Sequence, residues 1–274
     1  MKPIEPIDVV HLFPEVHAEL LNLLRGLTPE QWAAPTTCEG WSVKDVALHL
    51  LDGDVGVLSS KRDVDESGYL PSDQNLVAAL NRKNQAWVQS TRQLSGRVII
   101  DLIEYLGGQA VEYWQTVDLF ALNGIVSWAG PERAPQWLDA ARHYTEKWHH
   151  QQHIRDAVGK PGLKEARFLH AVLDTFVRAL PHTFRDTHMP VSTVVQLSVE
   201  GETGGHWFLL REEGRWTLHV ETSLPPAAVV RLDADSAWRL FTKGMPKLEA
   251  SKRAVIEGDS SLGDKLLDTI SIIA

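Results

Sequence analysis

The sequence has almost no cysteine: Cys38 is the only one in 274 residues. A single cysteine excludes a disulfide bond within the chain and any zinc or iron–sulfur site that needs several cysteines. Metal chemistry in this protein therefore has to rely on histidine and carboxylate ligands.

The sequence also lacks an excess of basic residues, because its formal net charge is -9. A nucleic-acid-binding face is normally rich in Lys and Arg, so we expect no nucleic-acid partner. No apolar run approaches the roughly 20 residues of a membrane span, and the opening MKPIEPIDVVHLFPE has acids and prolines where a secretory signal is apolar. We therefore predict a cytoplasmic monomer or dimer that acts on small molecules.

Helical periodicity is present from Ile7 to about Gly130, with apolar residues at i, i+3, i+4 and i+7. The segment Gly53–Ser72, rich in glycine, serine and charge, is interpreted as a connection. Later helices are predicted over Asn75–Leu94, Ile99–Val117 and about Pro135–Val158, the last of which ends at Gly159-Lys-Pro-Gly. Together these segments predict a four-helix bundle.

One helix start is especially clear. Ser42 can cap a helix, and the acid Asp45 follows three residues later, as in a capping box. We predict that this helix begins at about Val43 and carries His49 in its second turn.

The pattern changes after Arg167. An amphipathic helix over Phe168–Leu180 precedes short alternating runs with glycine turns, which predict an antiparallel sheet. The strands are predicted at Val191–Val199, His206–Arg211 and Arg215–Glu221, and two closing helices at Asp235–Lys243 and Ser261–Ser271. We therefore predict two domains, a helical bundle over residues 1–163 and an α+β domain over residues 164–274.

The bundle contains a pattern typical of metal binding. Glu146 and His150 lie four residues apart, so a helix presents the carboxylate and the imidazole to the same spot. With His49 from a facing helix they form a set of two histidines and one carboxylate, which in catalytic zinc sites leaves one coordination position open. His149 and His153 are also four residues apart, and spacing alone does not choose between the two pairs.

Cys38 and four of the tryptophans have a structural interpretation as well as a functional one. Cys38 could act as a nucleophile, but its place in a turn before a helix cap favours a structural role. Four tryptophans could line a pocket, although each is more typical of a helix contact in the core: Trp41, Trp87, Trp114 and Trp148.

Several stretches of the sequence resemble one family. Leu27–Trp32 and Cys38–Leu50 resemble the N-terminal signature of the mycothiol-dependent maleylpyruvate isomerases, a branch of the DinB-like bundles, and Glu146–Gly159 is similar to their second metal motif. The C-terminal stretches around Trp238 and Gly258 resemble the smaller sterol-carrier-like domain of that family. The resemblance implies an α + (α+β) fold, a DinB-like four-helix bundle followed by a small sterol-carrier-like α+β domain.

The resemblance also implies the ligands. They are His49, Glu146 and His150, which selects this set over the pair His149 and His153. His153 departs from the family, which more often has an acid there, and is an additional candidate ligand. The implied cofactors are a divalent metal, with zinc first and nickel or iron also suited to this donor set, and mycothiol or another small thiol.

The implied function is that of a metal-dependent enzyme with a metal-bound thiolate. It would isomerise a small electrophilic substrate or transfer the thiol sulfur to it, as a thiol-dependent isomerase or S-transferase. Arg82 and Arg239 are candidates for binding an anionic substrate, and both are also typical of surface ion pairs. A metal-dependent hydrolase and a non-catalytic metal-binding bundle are the alternatives, because a fold does not determine a function.

Overall fold

The computed structural model describes residues 1–65 and 75–273, which form two compact units. The first, here the bundle unit, contains Asp8–Leu119 and His143–Leu163. The second, the sheet unit, contains Met1–Ile7, Phe120–Arg142 and Lys164–Ile273. Both units are discontinuous in sequence, whereas the predicted domains are continuous. One boundary between the units, between Leu163 and Lys164, falls at the predicted domain boundary.

The bundle unit is built from helices. They are α1 (Phe13–Arg25), α2 (Pro29–Trp32), α3 (Val43–Gly56), α4 (Leu76–Thr91), α5 (Gly96–Thr116) and, from His143 onward, α6 (Gln136–Val158). A 3-10 turn over Val10–Leu12 precedes α1, and a π-helical segment over Val57–Arg62 continues α3.

Apolar helix faces hold this unit together. Leu20 and Leu24 of α1 are buried in the same hydrophobic cluster as residues of α3 and α5. The α5 helix contacts both α1 and α3, while α4 packs against α3. Ile154 brings α6 into the cluster, and the Gln151 side chain donates a hydrogen bond to the Val16 carbonyl of α1 at 3.2 Å. The predicted bundle is confirmed.

The predicted connection Gly53–Ser72 is wrong in its described part, because helical structure continues to Arg62. The charge that indicated a solvent-exposed connection belongs in part to Asp54, which is buried and pairs with Lys147 at 2.6 Å. Residues 66–72 of this prediction lie outside the described residues.

The sheet unit contains a six-stranded sheet. Its strands are β1 (Lys2–Pro3), β4 (Val194–Glu200), β5 (Gly205–Arg211), β6 (Trp216–Glu221), β7 (Ala228–Asp233) and β8 (Val255–Gly258), in the order β1-β6-β5-β4-β7-β8. A separate two-stranded sheet pairs β2 (Leu122–Ile125) with β3 (Arg133–Pro135), so the predicted helical pattern ends before Gly130. The three predicted strands, β4, β5 and β6, pair antiparallel as predicted, and the additional strand β7 pairs parallel to β4. Strand β7, which follows Pro225 and Pro226, is not among the predicted strands.

Helices complete the sheet unit. They are α7 (Ala166–Phe176), α8 (Leu180–Thr183), α9 (Ala234–Phe241), α10 (Lys247–Arg253) and α11 (Ser260–Leu266). The predicted α+β character of this part is confirmed, and α10 is an addition to the predicted elements. Across both described ranges, we find no helix with the length and apolar character that crossing a bilayer requires.

Gly107 on α5 offers a test of packing in the bundle unit. A Cβ atom there would lie 2.9 Å from the Asp54 Oδ2 atom and would clash with the His17 ring. We expect Gly107→Ala to lower the free energy of unfolding by about 1 to 3 kcal/mol, the usual cost of overpacking a core. Urea denaturation followed by circular dichroism measures this change.

The neighbouring Gly108→Ala is the matched control. No heavy atom of the described residues lies within 4 Å of its Cβ position. Alanine should therefore stabilise the helix at this position by roughly 0.5 to 1 kcal/mol. Equal effects of the two substitutions would contradict the close approach at Gly107.

Candidate metal centre

The start of α3 fixes the position of His49. The Ser42 hydroxyl accepts a hydrogen bond from the Asp45 amide, and the Asp45 carboxylate accepts one from the Ser42 amide at 2.9 Å. Arg92 donates two further hydrogen bonds to Asp45, at 2.8 and 3.1 Å. Burial alone would raise the pKa of Asp45, but Arg92 and Ser42 outweigh it and lower that pKa. The predicted capping box is confirmed, with His49 in the second turn.

Side-chain hydrogen bonds fix the rotation of α6. The buried Trp148 indole donates to the Leu163 carbonyl at 2.7 Å, and Gln151 is bonded to α1. These contacts leave Glu146 and His150 facing α3.

The structure brings the three predicted ligands together. One ligand atom from each of His49, Glu146 and His150 lies within 4.8 Å of the others. The His150 Nε2 atom is 3.4 Å from a Glu146 carboxylate oxygen, and the rings of His49 and His150 have centroids 4.6 Å apart. The Glu146 side chain is 31 % exposed and that of His150 only 12 %, so the cluster opens to solvent on its carboxylate side.

The protonation states suit a cation. Burial, followed by the neighbouring His149, lowers the pKa of His150 to about 3, and burial also lowers the pKa of His49. Burial would raise the pKa of Glu146, but the hydrogen bond from His150 and the surrounding imidazoles bring it below its usual range. Neutral imidazoles and an ionised carboxylate are the forms that bind a metal.

Two polar atoms of the cluster lack partners. The Nδ1 atoms of His49 and His150 are buried and have no hydrogen-bond partner among residues 1–65 and 75–273. A buried polar atom without a partner is costly, and native structures usually satisfy it. These imidazoles therefore fit a bound ion or another ligand better than a purely structural role.

The other histidines of α6 have different surroundings. His149 uses its Nδ1 atom in a 2.8 Å hydrogen bond to the Thr145 carbonyl. His153, the additional candidate ligand, lies with its Nδ1 atom 3.0 Å from the Cys38 sulfur. In the described part of the chain, Cys38, His150 and His153 form a second group with ligand atoms within 4.8 Å, and His149 belongs to neither group.

The contact between Cys38 and His153 was not foreseen from the sequence. The two residues are 115 positions apart, and no local pattern connects them. Burial, only partly offset by a hydrogen bond with Thr36, raises the pKa of the Cys38 thiol to about 11. The thiol is thus protonated at neutral pH when no cation is near, which is inconsistent with a free thiolate nucleophile.

Of the four tryptophans, Trp41 lies beside the cluster, with its ring centroid 5.2 Å from that of His49. Trp87 donates a hydrogen bond to the Leu48 carbonyl at 2.8 Å and so ties α4 to α3. Trp114 and Trp148 are fully buried core residues. The tryptophans therefore serve mainly the packing of the bundle.

The two candidate arginines lie in different units. Arg82 is exposed on α4 of the bundle unit. Arg239 belongs to the sheet unit, where it pairs with Asp235 at 2.8 Å and lies over the Trp238 ring. Anion binding by either residue stays a prediction.

A surface groove of about 700 Å³ also lies on the bundle unit. It is lined by Trp32, Asp45 and Arg92 among others and includes none of the three candidate ligands. Asp45 and Arg92 already serve the capping of α3, so we assign the chemistry to the histidine cluster instead.

Fold and site together define a class: a helical bundle with a candidate metal site of two histidines and one carboxylate, accompanied by an α+β unit. The family model for the mycothiol maleylpyruvate isomerase N-terminal domain matches residues 13–155, more than half of the chain. The chain belongs to this family, and the resemblance seen in its motifs is confirmed.

Solved structures of similar fold agree with this assignment. A mutant of the mycothiol-dependent maleylpyruvate isomerase is 11 % identical, with 93 % of this chain and 92 % of that chain covered and a TM-score of 0.56. A second structure of a mycothiol-dependent maleylpyruvate isomerase is 11 % identical, with coverage of 84 % and 86 % and a TM-score of 0.51. No curated protein matches this chain. At this identity the likeness shows a common fold.

Proposed function

We propose that this protein is a metal-dependent enzyme that uses a small thiol, mycothiol or one like it, to isomerise a small electrophile or to transfer sulfur to it. The observation that carries the proposal is the convergence of His49, Glu146 and His150 within 4.8 Å of one another. Membership of the mycothiol maleylpyruvate isomerase family supports the use of a small thiol as cofactor and favours isomerisation over sulfur transfer.

The residues present fit a divalent metal. Two neutral imidazoles and a carboxylate are a common donor set for catalytic zinc, and nickel and iron accept the same ligands. The buried Nδ1 atoms of His49 and His150, without partners in the described part of the chain, support ligation. Zinc is our first assignment.

When bound, the metal would supply a positive charge that lowers the pKa of a thiol enough to deprotonate it. The chain would hold the metal in position and leave it accessible from solvent. Trp41 packs beside the His49 ring and restricts its orientation. The exposed edge of Glu146 leaves the cluster open to a thiol and a substrate from solvent.

Metal removal tests the proposal. We expect the protein, purified without a His-tag, to contain about one divalent ion per chain, as in other three-ligand sites. We expect it to isomerise maleylpyruvate only when mycothiol is added, to lose this activity on treatment with a chelator and to regain it with zinc. Elemental analysis and a spectrophotometric assay measure the two quantities.

Other results of these assays would support one of the alternatives or refute the proposal. Metal-dependent turnover of an ester or amide without thiol would support the hydrolase alternative. Bound metal without turnover of any electrophile would support a non-catalytic binding protein. A protein that takes up no metal from micromolar zinc would refute the proposal. A cytoplasmic location and the monomeric or dimeric state stay predictions.

A further inference from the structure

Cys38 and His153 lie beside the proposed metal centre, and the proposed function assigns a role to neither residue. The Cys38 sulfur is 3.0 Å from the His153 Nδ1 atom, and both residues group with His150 within 4.8 Å. Glu146 contributes to the electrostatic environment of Cys38, which also places the thiol close to the first set of ligands.

The turn before α3 holds the thiol in place. The Cys38 amide donates a hydrogen bond to the Thr36 hydroxyl at 3.2 Å, and the Trp41 amide donates to the Cys38 carbonyl at 3.0 Å. On the other side, His150 and His153 lie one turn apart on α6 with ring centroids 5.3 Å apart. The three donors thus come from two rigid segments rather than from a mobile loop.

We propose that Cys38, His150 and His153 form a second metal-binding set that shares His150 with the first, so that one ion has two alternative positions. A thiolate with two imidazoles is a donor set that zinc accepts readily. The His150 Nδ1 atom, buried and lacking a hydrogen-bond partner in residues 1–65 and 75–273, is consistent with a ligand at the residue that the two sets share.

Binding at the second set requires the Cys38 thiol to lose its proton to solvent as the sulfur–metal bond forms. No electron is transferred, so the step needs no oxidant or reductant. A coordinated thiol is deprotonated by the metal charge even where burial has raised its pKa. The chain then supplies its own thiolate, in place of the external thiol of the proposed function.

Metal bound at the second set would affect how the enzyme binds its external thiol, an inference that rests on the proposed function. An ion held by the second set already carries the Cys38 thiolate, whose negative charge opposes the binding of a second thiolate, so the second set is a resting position. An external thiol binds more tightly once Cys38 has been displaced, and the Cys38→Ser variant should therefore bind mycothiol more tightly than the wild type.

Cobalt(II) in place of the native ion tests the second set. We expect the cobalt-loaded wild type, with no thiol added, to show the near-ultraviolet charge-transfer absorption of a thiolate–cobalt bond. Cys38→Ser should lose this absorption and still bind about one cobalt per chain on the first set. His49→Ala should keep both the absorption and the ion, because the second set remains complete.

The His153→Gln variant is a second probe that leaves the cysteine in place, and it should weaken the thiolate absorption. Circular dichroism confirms that each variant is folded. Cobalt-loaded wild type without thiolate absorption would overturn the second set, whatever the enzyme assay shows. Conversely, a thiolate band in a protein without mycothiol-dependent turnover would refute the proposed function alone.

Discussion

Replacing Lys147 by methionine is expected to lower the free energy of unfolding by about 3 to 5 kcal/mol, because it leaves a buried charge without its partner. Lys147 and Asp54 form a 2.6 Å ion pair whose side chains are 4 % and 0 % exposed. Water cannot replace the lost ammonium group at such a depth. Urea denaturation followed by the helical circular dichroism signal measures the change.

An exposed ion pair of the same length provides the control. Arg25 and Glu104 also lie 2.6 Å apart, but their side chains are 47 % and 54 % exposed. Arg25→Met should change stability by no more than about 1 kcal/mol, since solvent screens such pairs. Similar losses in both variants would show that the burial of the Lys147 pair is not what matters.

The same variant should respond to pH. Burial raises the pKa of Asp54, and in the wild type Lys147 opposes that rise. An acid whose pKa is higher in the folded than in the unfolded protein destabilises the fold fully above the folded pKa and not at all below the unfolded one. The deficit of Lys147→Met should therefore shrink as the pH falls from neutrality towards the usual aspartate pKa of about 3.9. A constant deficit would contradict a charged, unpaired Asp54.

Local signals made the bundle predictable. The cap formed by Ser42 and Asp45 is contained in four consecutive residues, so the start of α3 followed from chemistry that the sequence displays directly. The terminator after Val158 works in the same way, with Gly159 in a left-handed conformation. Periodicity then assigned the helix faces correctly.

The failures of sequence reasoning concern long-range contacts. The glycine, serine and charge around Asp54 predicted a connection, and its buried partner Lys147 is too far away in sequence for a local pattern to reveal the pair. Strand β7 is a short apolar run whose identity depends on parallel pairing with β4, which no local pattern indicates. Such pairings arise from tertiary packing, which overrides local preference.

The candidate site shows the same division. The spacing of residues on α6 offered two pairs facing His49, and the choice of Glu146 and His150 over His149 and His153 depended on family resemblance. The structure brings His49, Glu146 and His150 together and engages the His149 Nδ1 atom in a 2.8 Å hydrogen bond with the Thr145 carbonyl. The approach of Cys38 to His153 had no counterpart in the sequence patterns.

Replacing His150 by alanine is expected to have the largest effect on binding, because His150 belongs to both candidate ligand sets. Loss of an outer-shell partner alone usually costs 10 to 100-fold in metal affinity, so removal of a direct ligand should cost more than about 100-fold. Mycothiol-dependent turnover should fall with the metal. Competition with a coloured zinc chelator measures the affinity, and the maleylpyruvate assay measures the turnover.

His149→Gln is the matched control, one residue away on the same helix. Its ring is buried, with its centroid 4.0 Å from that of His150, but in the described residues it belongs to neither ligand group. Glutamine retains a donor for the Thr145 carbonyl, so the variant should keep its metal affinity within a few-fold. If His149→Gln lost the ion while His150→Ala kept it, the ligands would instead be His149 and His153. The register of α6 on which both proposals depend would then be wrong.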